Sequence, residues 1–350
     1  MKQKTLIILS PGFPANETDS TCLPSQQLFV KNFKEVFPEI NIIILSFQYP
    51  FSNEVYQWNR NTVIPFNGRN KGKLNRLLLW RRVWQRLKLL QKENDVMGVL
   101  SFWYGECALL GQKFSRRYDT KHFCWLLGQD AKSDNKYVRM VKLDGQQLIA
   151  LSDFLKKEFY KNYDIDPHYV IPNAIDTSEF DQTNKERDID ILAVGSLIKL
   201  KQYNIFVDII KELSQENPSI KAVICGKGPE ETSLRSAIKQ AGIENNISLV
   251  GELSHREILS LMQQSKILLQ PSSYEGFSTV CLEALYAGCS VVSFCKPMDQ
   301  PIDRWHIVQS KEEMKNNVSE LLNNSFIQYT PVLVCKMNDT AKKIKALFDN

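Results

Sequence analysis

The chain has 350 residues, 43% hydrophobic and 24% charged, a length that favours two domains and a composition that excludes a disordered, collagen-like or disulfide-scaffold protein. No apolar run approaches the roughly 18 residues needed to span a bilayer, and Leu6-Ile7-Ile8-Leu9, closed by Pro11-Gly12, reads as a buried first strand rather than a signal-peptide core. The net charge of +5 hides an asymmetry: residues 1–150 carry 22 Lys and Arg against 12 Asp and Glu, residues 151–350 carry 22 against 27, so the front half suits an anionic partner.

In chain order, the front half offers strands at 5–9, 40–47, 98–103, 122–127 and 148–151, and the first delivers Gly12 to its carboxyl end. Residues 69–92 hold nine basic and no acidic side chains, with Leu77, Trp80, Trp84 and Leu87 at helical steps of three and four. Such a helix binds an anionic membrane surface through its Trp stripe, or it is an ordinary domain helix whose Trp residues are core and whose charges are solvated. No recognition motif accompanies the charge, so nucleic acid is not expected as a partner. A break at Ile171-Pro172-Asn173 and the polar run ending at Arg187 have linker chemistry.

The back half repeats the alternation, with strands at 189–195, 220–225, 247–250, 267–270 and 290–294 and helices near 202–216, 230–241, 255–264 and 279–287. Apolar, unalternated strands separated by helices mean parallel sheets covered on both faces. The fold class is therefore α/β, with two Rossmann-like domains facing each other across a cleft. The expected division is 1–172, a linker at 173–187, a second domain at 188–330 and a last helix within 331–350 returning to the front domain. Open α/β sheets bind ligands beyond the carboxyl ends of their strands, and two such ends suit a two-substrate transfer enzyme.

The densest chemistry runs from Gln270 to Gly288. A strand ends at Pro271, a loop carries Glu275-Gly276-Phe277, Ser278 is a good helix N-cap and Gly288 a good stop. The free N–H groups of that helix start make an anion site fit for a diphosphate, which Gly276 lets a ligand approach closely. Glu275 and Glu283 beside it suit hydrogen bonds from sugar hydroxyls; on spacing alone, a solvated loop Glu and an exposed helix Glu remain the plainer alternative.

From Ile189 to Phe294 the chain resembles the nucleotide-binding domain of GT-B glycosyltransferases, specifically retaining family 4. The similarity rests on four segments in the family's order. These are Ile171-Pro172-Asn173-Ala174-Ile175-Asp176 through Phe180, Gly226-Lys227-Gly228-Pro229, Leu249-Val250-Gly251-Glu252-Leu253-Ser254, and Pro271-Ser272-Ser273-Tyr274-Glu275-Gly276-Phe277 with Glu283. The resemblance implies a GT-B fold and a nucleotide-sugar-dependent, retaining hexosyltransferase acting on a glycan or lipid-linked glycan of a surface polysaccharide. It puts Glu283 on the ribose hydroxyls, Glu275 on the donor sugar and the backbone of Gly276, Phe277 and Ser278 on the diphosphate or sugar, with Gly226 and Leu253 in the donor-binding turns. Gly195-Ser196 followed by Lys201 is similar to the family's Gly-Arg-x-x-x-x-Lys clamp, in which Lys201 fits and Ser196 stands where Arg is common. A solvated Lys201 is the alternative.

In the front half, Leu127-Gly128-Gln129-Asp130 resembles the family's His-Gly-x-Asp segment with Leu127 in place of histidine, so no catalytic histidine carries over. Gln129 and Asp130 are candidates for substrate hydroxyls; Asp130 reads equally as a buried cap. The Asp-x-Asp triplets at 164–166 and 188–190 read as turn residues, and no metal or other cofactor is expected. Eight cysteines without a Cys-x2-Cys pair read as reduced thiols. The expected location is cytoplasmic, at the inner face of the cell membrane if the basic helix binds lipid. A nucleotide-sugar-binding protein without catalysis, and a GT-B epimerase or phosphorylase, remain open.

Overall fold

The computed structural model describes residues 2–19, 21–181 and 185–349. Two compact units partition the chain: Met1–Ala174 with Cys335–Asn350, and Ile175–Val334.

The first unit runs β1 (Lys4–Gly12), α1 (Pro24–Val36), β2 (Asn41–Tyr49), β3 (Tyr56–Trp58), β4 (Asn61–Pro65), α2 (Lys73–Glu93), β5 (Asp95–Phe102), α3 (Glu106–Tyr118), β6 (His122–Leu126), α4 (Lys136–Val141), β7 (Leu148–Ala150), α5 (Asp153–Tyr163) and β8 (Tyr169–Val170). Its sheet has the order β3-β4-β2-β1-β5-β6-β7-β8, parallel except for the β3–β4 hairpin. Leu6, Ile7, Ile8 and Leu9 are all fully buried, as a central strand covered on both faces requires.

The second unit runs β9 (Ile189–Val194), α6 (Tyr203–Glu216), β10 (Ala222–Cys225), α7 (Glu231–Ala241), β11 (Ile247–Gly251), α8 (His255–Gln263), β12 (Ser265–Gln270), α9 (Thr279–Tyr286), β13 (Ser290–Ser293), β14 (Trp305–Ile307) and α10 (Lys311–Asn323). Its sheet is wholly parallel, ordered β11-β10-β9-β12-β13-β14. The order reverses at β9, so the carboxyl ends of β9, β10 and β12 flank the switch point where open α/β sheets take ligands. α11 (Met337–Leu347) then closes the chain in the first unit: Thr340 Oγ1 donates to Pro172 O at 3.0 Å, and Phe348 meets Phe123 edge-on at 5.1 Å.

Two boundaries differ from the sequence reading. Residues 175–181 and 185–187, expected as linker, pack with the second unit because the Arg187 guanidinium donates to the carbonyls of Ser265 and Ala287 and lies 4.4 Å from the Tyr329 ring centroid. Residues 331–334 also stay there, tied by Val332 N to Leu285 O at 3.0 Å, so the return to the first unit begins at Cys335.

Candidate functional site

Backbone crowding shapes the turns after β9 and β10. Gly195 and Gly226 both have φ 146°, and a Cβ on Gly226 would lie 1.9 Å from the Gly195 carbonyl oxygen. A Cβ on Gly228 would lie 2.3 Å from Leu197 O. The two turns therefore pack backbone on backbone, which only glycine permits, and Gly226 acts by placing Gly195. The Gly195 Cα in turn faces Lys201, whose Nζ would be 3.6 Å from a Cβ there.

Lys201 Nζ meets Glu275 Oε1 at 2.5 Å, both side chains largely sheltered at 16% and 20% exposure. Gln270 Nε2 donates to the same oxygen at 3.1 Å, and Ser273 N donates to Leu200 O at 3.0 Å. The loop after β12 is thus stitched to the turn before α6, and the ammonium, the carboxylate and the start of α9 share one face. Ser278 caps α9 by accepting from Cys281 N at 3.4 Å. Phe277 is buried and stacks on Trp305 at 6.1 Å with a 2° interplanar angle, so its ring is a wedge that fixes the loop while its backbone borders the helix start. Three buried polar atoms nearby have no partner within the protein: Tyr203 Oη, Gln270 Oε1 and Ser272 Oγ. Native interiors satisfy such atoms, and two of the three lie at this pair: Gln270 donates to Glu275 through its other amide atom, and Tyr203 Oη and Lys201 Nζ both border Gly195, so a polar ligand or water belongs here.

Glu283 lies inside α9 at 8% exposure, not on an exposed helix face. His255 Nε2 meets Glu283 Oε1 at 2.9 Å, and its Nδ1 meets Glu179 Oε2 at 2.7 Å. The hydrogen bond to Glu283, followed by the charges of both carboxylates, raises the imidazole pKa from the usual 6.5 to about 9 against the opposing effect of burial. His255 is therefore a cation at neutral pH, clamped between two carboxylates. Sequence spacing gives no sign of this triad, since 28 positions separate His255 from Glu283. Ser196 is exposed and so is Lys199, the nearest substitute for the missing Arg; Leu253 is half-buried after β11.

In the first unit the candidates divide. Gln129 is exposed beyond β6. Gly12, expected on the acceptor side at the cleft end of the first strand, is the last residue of β1 and is buried, facing Cys22 Sγ and Tyr49 Cβ. The reading of Asp130 as a substrate residue is corrected. Its carboxylate accepts from Tyr104 N at 2.9 Å, Gly128 N at 2.8 Å and Leu127 N at 3.2 Å, while burial pushes its pKa up. It ties two loops together and has no capacity left for sugar hydroxyls. Of the two readings of the stripe on residues 69–92, the structure has the core one for all but Leu77. Trp80 and Trp84 are half-buried on the core, Trp80 donating to Glu106 Oε2 at 2.6 Å, and Leu87 is buried with Leu79, Val83 and Leu90. The exposed apolar residues are Leu74, Leu77 and Leu78 near the start of α2 and Leu89 near its end.

Among the described residues no group of three or more His, Cys, Asp and Glu side chains is arranged to hold a metal. Asp190 is engaged by Lys266 Nζ at 2.7 Å and Lys221 N at 2.9 Å, and Asp166 by Lys156 at 3.2 Å. No described helix is long and apolar enough to cross a membrane.

Residues 175–301 match the family model described as Glycosyl transferases group 1. One subunit of the human phosphatidylinositol N-acetylglucosaminyltransferase is 29% identical over 163 residues, 45% of this chain and 34% of that protein. The 2-deoxystreptamine N-acetyl-D-glucosaminyltransferase of Niallia circulans is 28% identical over 103 residues, 29% of this chain and 26% of that protein. The matched part thus spans about a third of these relatives. Among solved structures, Anabaena HepE in complex with UDP and glucose aligns with a TM-score of 0.69 at 17% identity, over 99% of this chain and 96% of that one. A TarM mutant of S. aureus with fondaparinux, α-GlcNAc-glycerol and UDP aligns with a TM-score of 0.69 at 10% identity over all of both chains. The fold is that of the GT-B glycosyltransferases.

Proposed function

We propose that the chain moves a hexosyl group from a nucleotide-sugar donor to a hydroxyl of a glycan or lipid-linked glycan, with retention at the anomeric carbon, a reading supported by the match of residues 175–301 to the model described as Glycosyl transferases group 1. The observation that carries this reading is the Lys201–Glu275 pair beside the start of α9, with Glu283 held further along the same helix. Glu283 accepts hydrogen bonds from the ribose, Glu275 from the donor sugar, and Lys201 with the N–H groups following Gly276 neutralises the diphosphate. In the reaction the acceptor oxygen forms a bond to the anomeric carbon as the carbon–oxygen bond to the diphosphate breaks. The acceptor proton passes to a diphosphate oxygen on the same face. Lys201 shifts from Glu275 toward the leaving diphosphate, where charge accumulates. This charge chemistry needs no metal, so turnover should survive EDTA.

Donor identity is tested by thermal shift against UDP, GDP, ADP and their sugar conjugates, with Glu283→Ala alongside. A ligand bound only by the folded state raises the melting temperature. Stabilisation by one nucleotide, lost in Glu283→Ala, is expected; HepE with UDP makes UDP the first candidate. No shift with any of them overturns the reading, and binding without transfer or hydrolysis turns it into a nucleotide-sugar-binding protein.

The same proposal extends to the membrane. Leu74, Leu77 and Leu78 are 77%, 58% and 58% exposed on α2, with exposed Arg81 and Arg82 in the following turn. This leucine patch, rather than the Trp residues, would enter the interface of an anionic bilayer at its cytoplasmic face. Sedimentation with phosphatidylglycerol vesicles should be lost in Leu74→Ser/Leu77→Ser/Leu78→Ser and weakened by salt; binding unaffected by either removes the lipid-surface role.

A further inference from the structure

Trp103 stands apart from the other tryptophans. Trp58 packs edge-on against Phe13, Trp80 donates to Glu106, Trp84 lies under the Lys113 ammonium, Trp125 donates to Ile171 O, and Trp305 stacks on Phe277. Among the described tryptophans Trp103 alone has no ring, cation or indole hydrogen-bond partner, and it is half-buried. It directly follows the carboxyl end of β5, next to the central strand β1 of the parallel sheet, where α/β folds present ligands.

Its backbone is also strained. Trp103 has φ 61°, the left-handed region that bulky residues avoid. The surroundings hold it there. Its N–H donates to Trp125 O at 3.0 Å, its carbonyl accepts from Gly105 N at 2.9 Å, Asp130 holds Tyr104 N, and Asn135 Nδ2 donates to Tyr104 O at 2.7 Å. Beside it the protein leaves room: a Cβ built on Gly105 or on Gly128 meets nothing within 4 Å. Strain of this kind persists where the position is over-determined, and it clusters where ligands bind. A flat, amphipathic ring with a spare N–H, next to open space, matches the apolar face and hydroxyl rim of a pyranose.

We propose that Trp103 is the floor of a carbohydrate subsite in the first unit, stacking under a pyranose ring and donating its indole N–H to one of the hydroxyls. That this ring is the acceptor's rests on the transfer reaction proposed above; the subsite itself does not. The buried Asp130 carboxylate then acts as a positioning residue, since it fixes the Tyr104 and Gly128 amides on either side of the floor.

The test uses the full chain and the methyl glycosides of glucose, galactose and N-acetylglucosamine as probes. Intrinsic tryptophan emission should change saturably with at least one of them in the wild type and stay flat in Trp103→Phe. No change with any probe, or the same change in the variant, overturns the subsite. In steady-state assays, Trp103→Ala should raise the acceptor KM about tenfold and leave donor KM and nucleotide release to water unchanged; parallel loss of both overturns the acceptor assignment. Trp103→Gly, which relieves the left-handed backbone, should melt no lower than wild type, and a clear drop would make Trp103 structural. Probe binding by a wild type that neither transfers nor hydrolyses any nucleotide sugar keeps the subsite and defeats the transfer reading.

Discussion

His255 puts a titratable cation against Glu283 in the candidate donor site. With a folded-state pKa of about 9 against 6.5 unfolded, its protonated form stabilises the protein fully below pH 6.5, and that contribution is lost as pH rises through 9. The ring is 43% exposed, so solvent screening holds the effect to about 1 kcal/mol. His255→Gln should therefore melt below wild type at pH 6 and converge with it above pH 9.5; a constant gap in denaturation scans across that range would reject the triad as the cause. Lys201 makes a different demand. If it neutralises the leaving diphosphate more than the bound one, Lys201→Ala should lose about 10²–10³-fold in turnover and lose less than that in nucleotide affinity by calorimetry. Unchanged turnover would remove the clamp role.

At the scale of elements, turns and helix ends carry the site more than strands do. Gly226→Ala would force its Cβ onto the Gly195 carbonyl, so the turn after β9 must move and carry the Lys201 side of the site with it. A loss of about 1–3 kcal/mol in stability is expected, together with a raised donor KM; urea denaturation and donor titration check the two parts separately. Features of this type are legible in the sequence because a chain that needs close backbone approach has one residue to use, and a helix start has few capping choices. Other features are not. The β3–β4 hairpin is hidden because its turn is Asn59-Arg60 at φ 43° and 63°, left-handed positions without the glycine that usually announces them. Asp130 is ambiguous in sequence because a carboxylate at a strand end serves ligand or backbone equally well, and only the positions of three amides decide. On α2 the periodicity identifies the helix and the stripe through Trp80, Trp84 and Leu87 but not what that stripe faces, since Trp fits either on the core or in lipid; here it packs on the core.

For the whole molecule, the chain path assigns the last helix to the first unit. In α11, Ile344 and Ala341 are fully buried, and Phe348 fills the space a side chain on Gly98 would need, a Cβ there lying 2.4 Å from the Phe348 ring. Removing residues 335–350 would uncover this part of the first unit's core and strip Thr340 from Pro172 O, while leaving every side chain of the Lys201–Glu275 and His255–Glu283 pairs in place. Two-unit proteins need not unfold in one step, and a ligand raises the melting temperature only of the cooperative unit that binds it. Calorimetry of the truncated chain should show a lowered first-unit transition and a second-unit transition that nucleotide still shifts upward. If truncation instead abolishes nucleotide protection, the donor site depends on the closing helix, and the second unit is not the independent binding module that its own sheet and core describe.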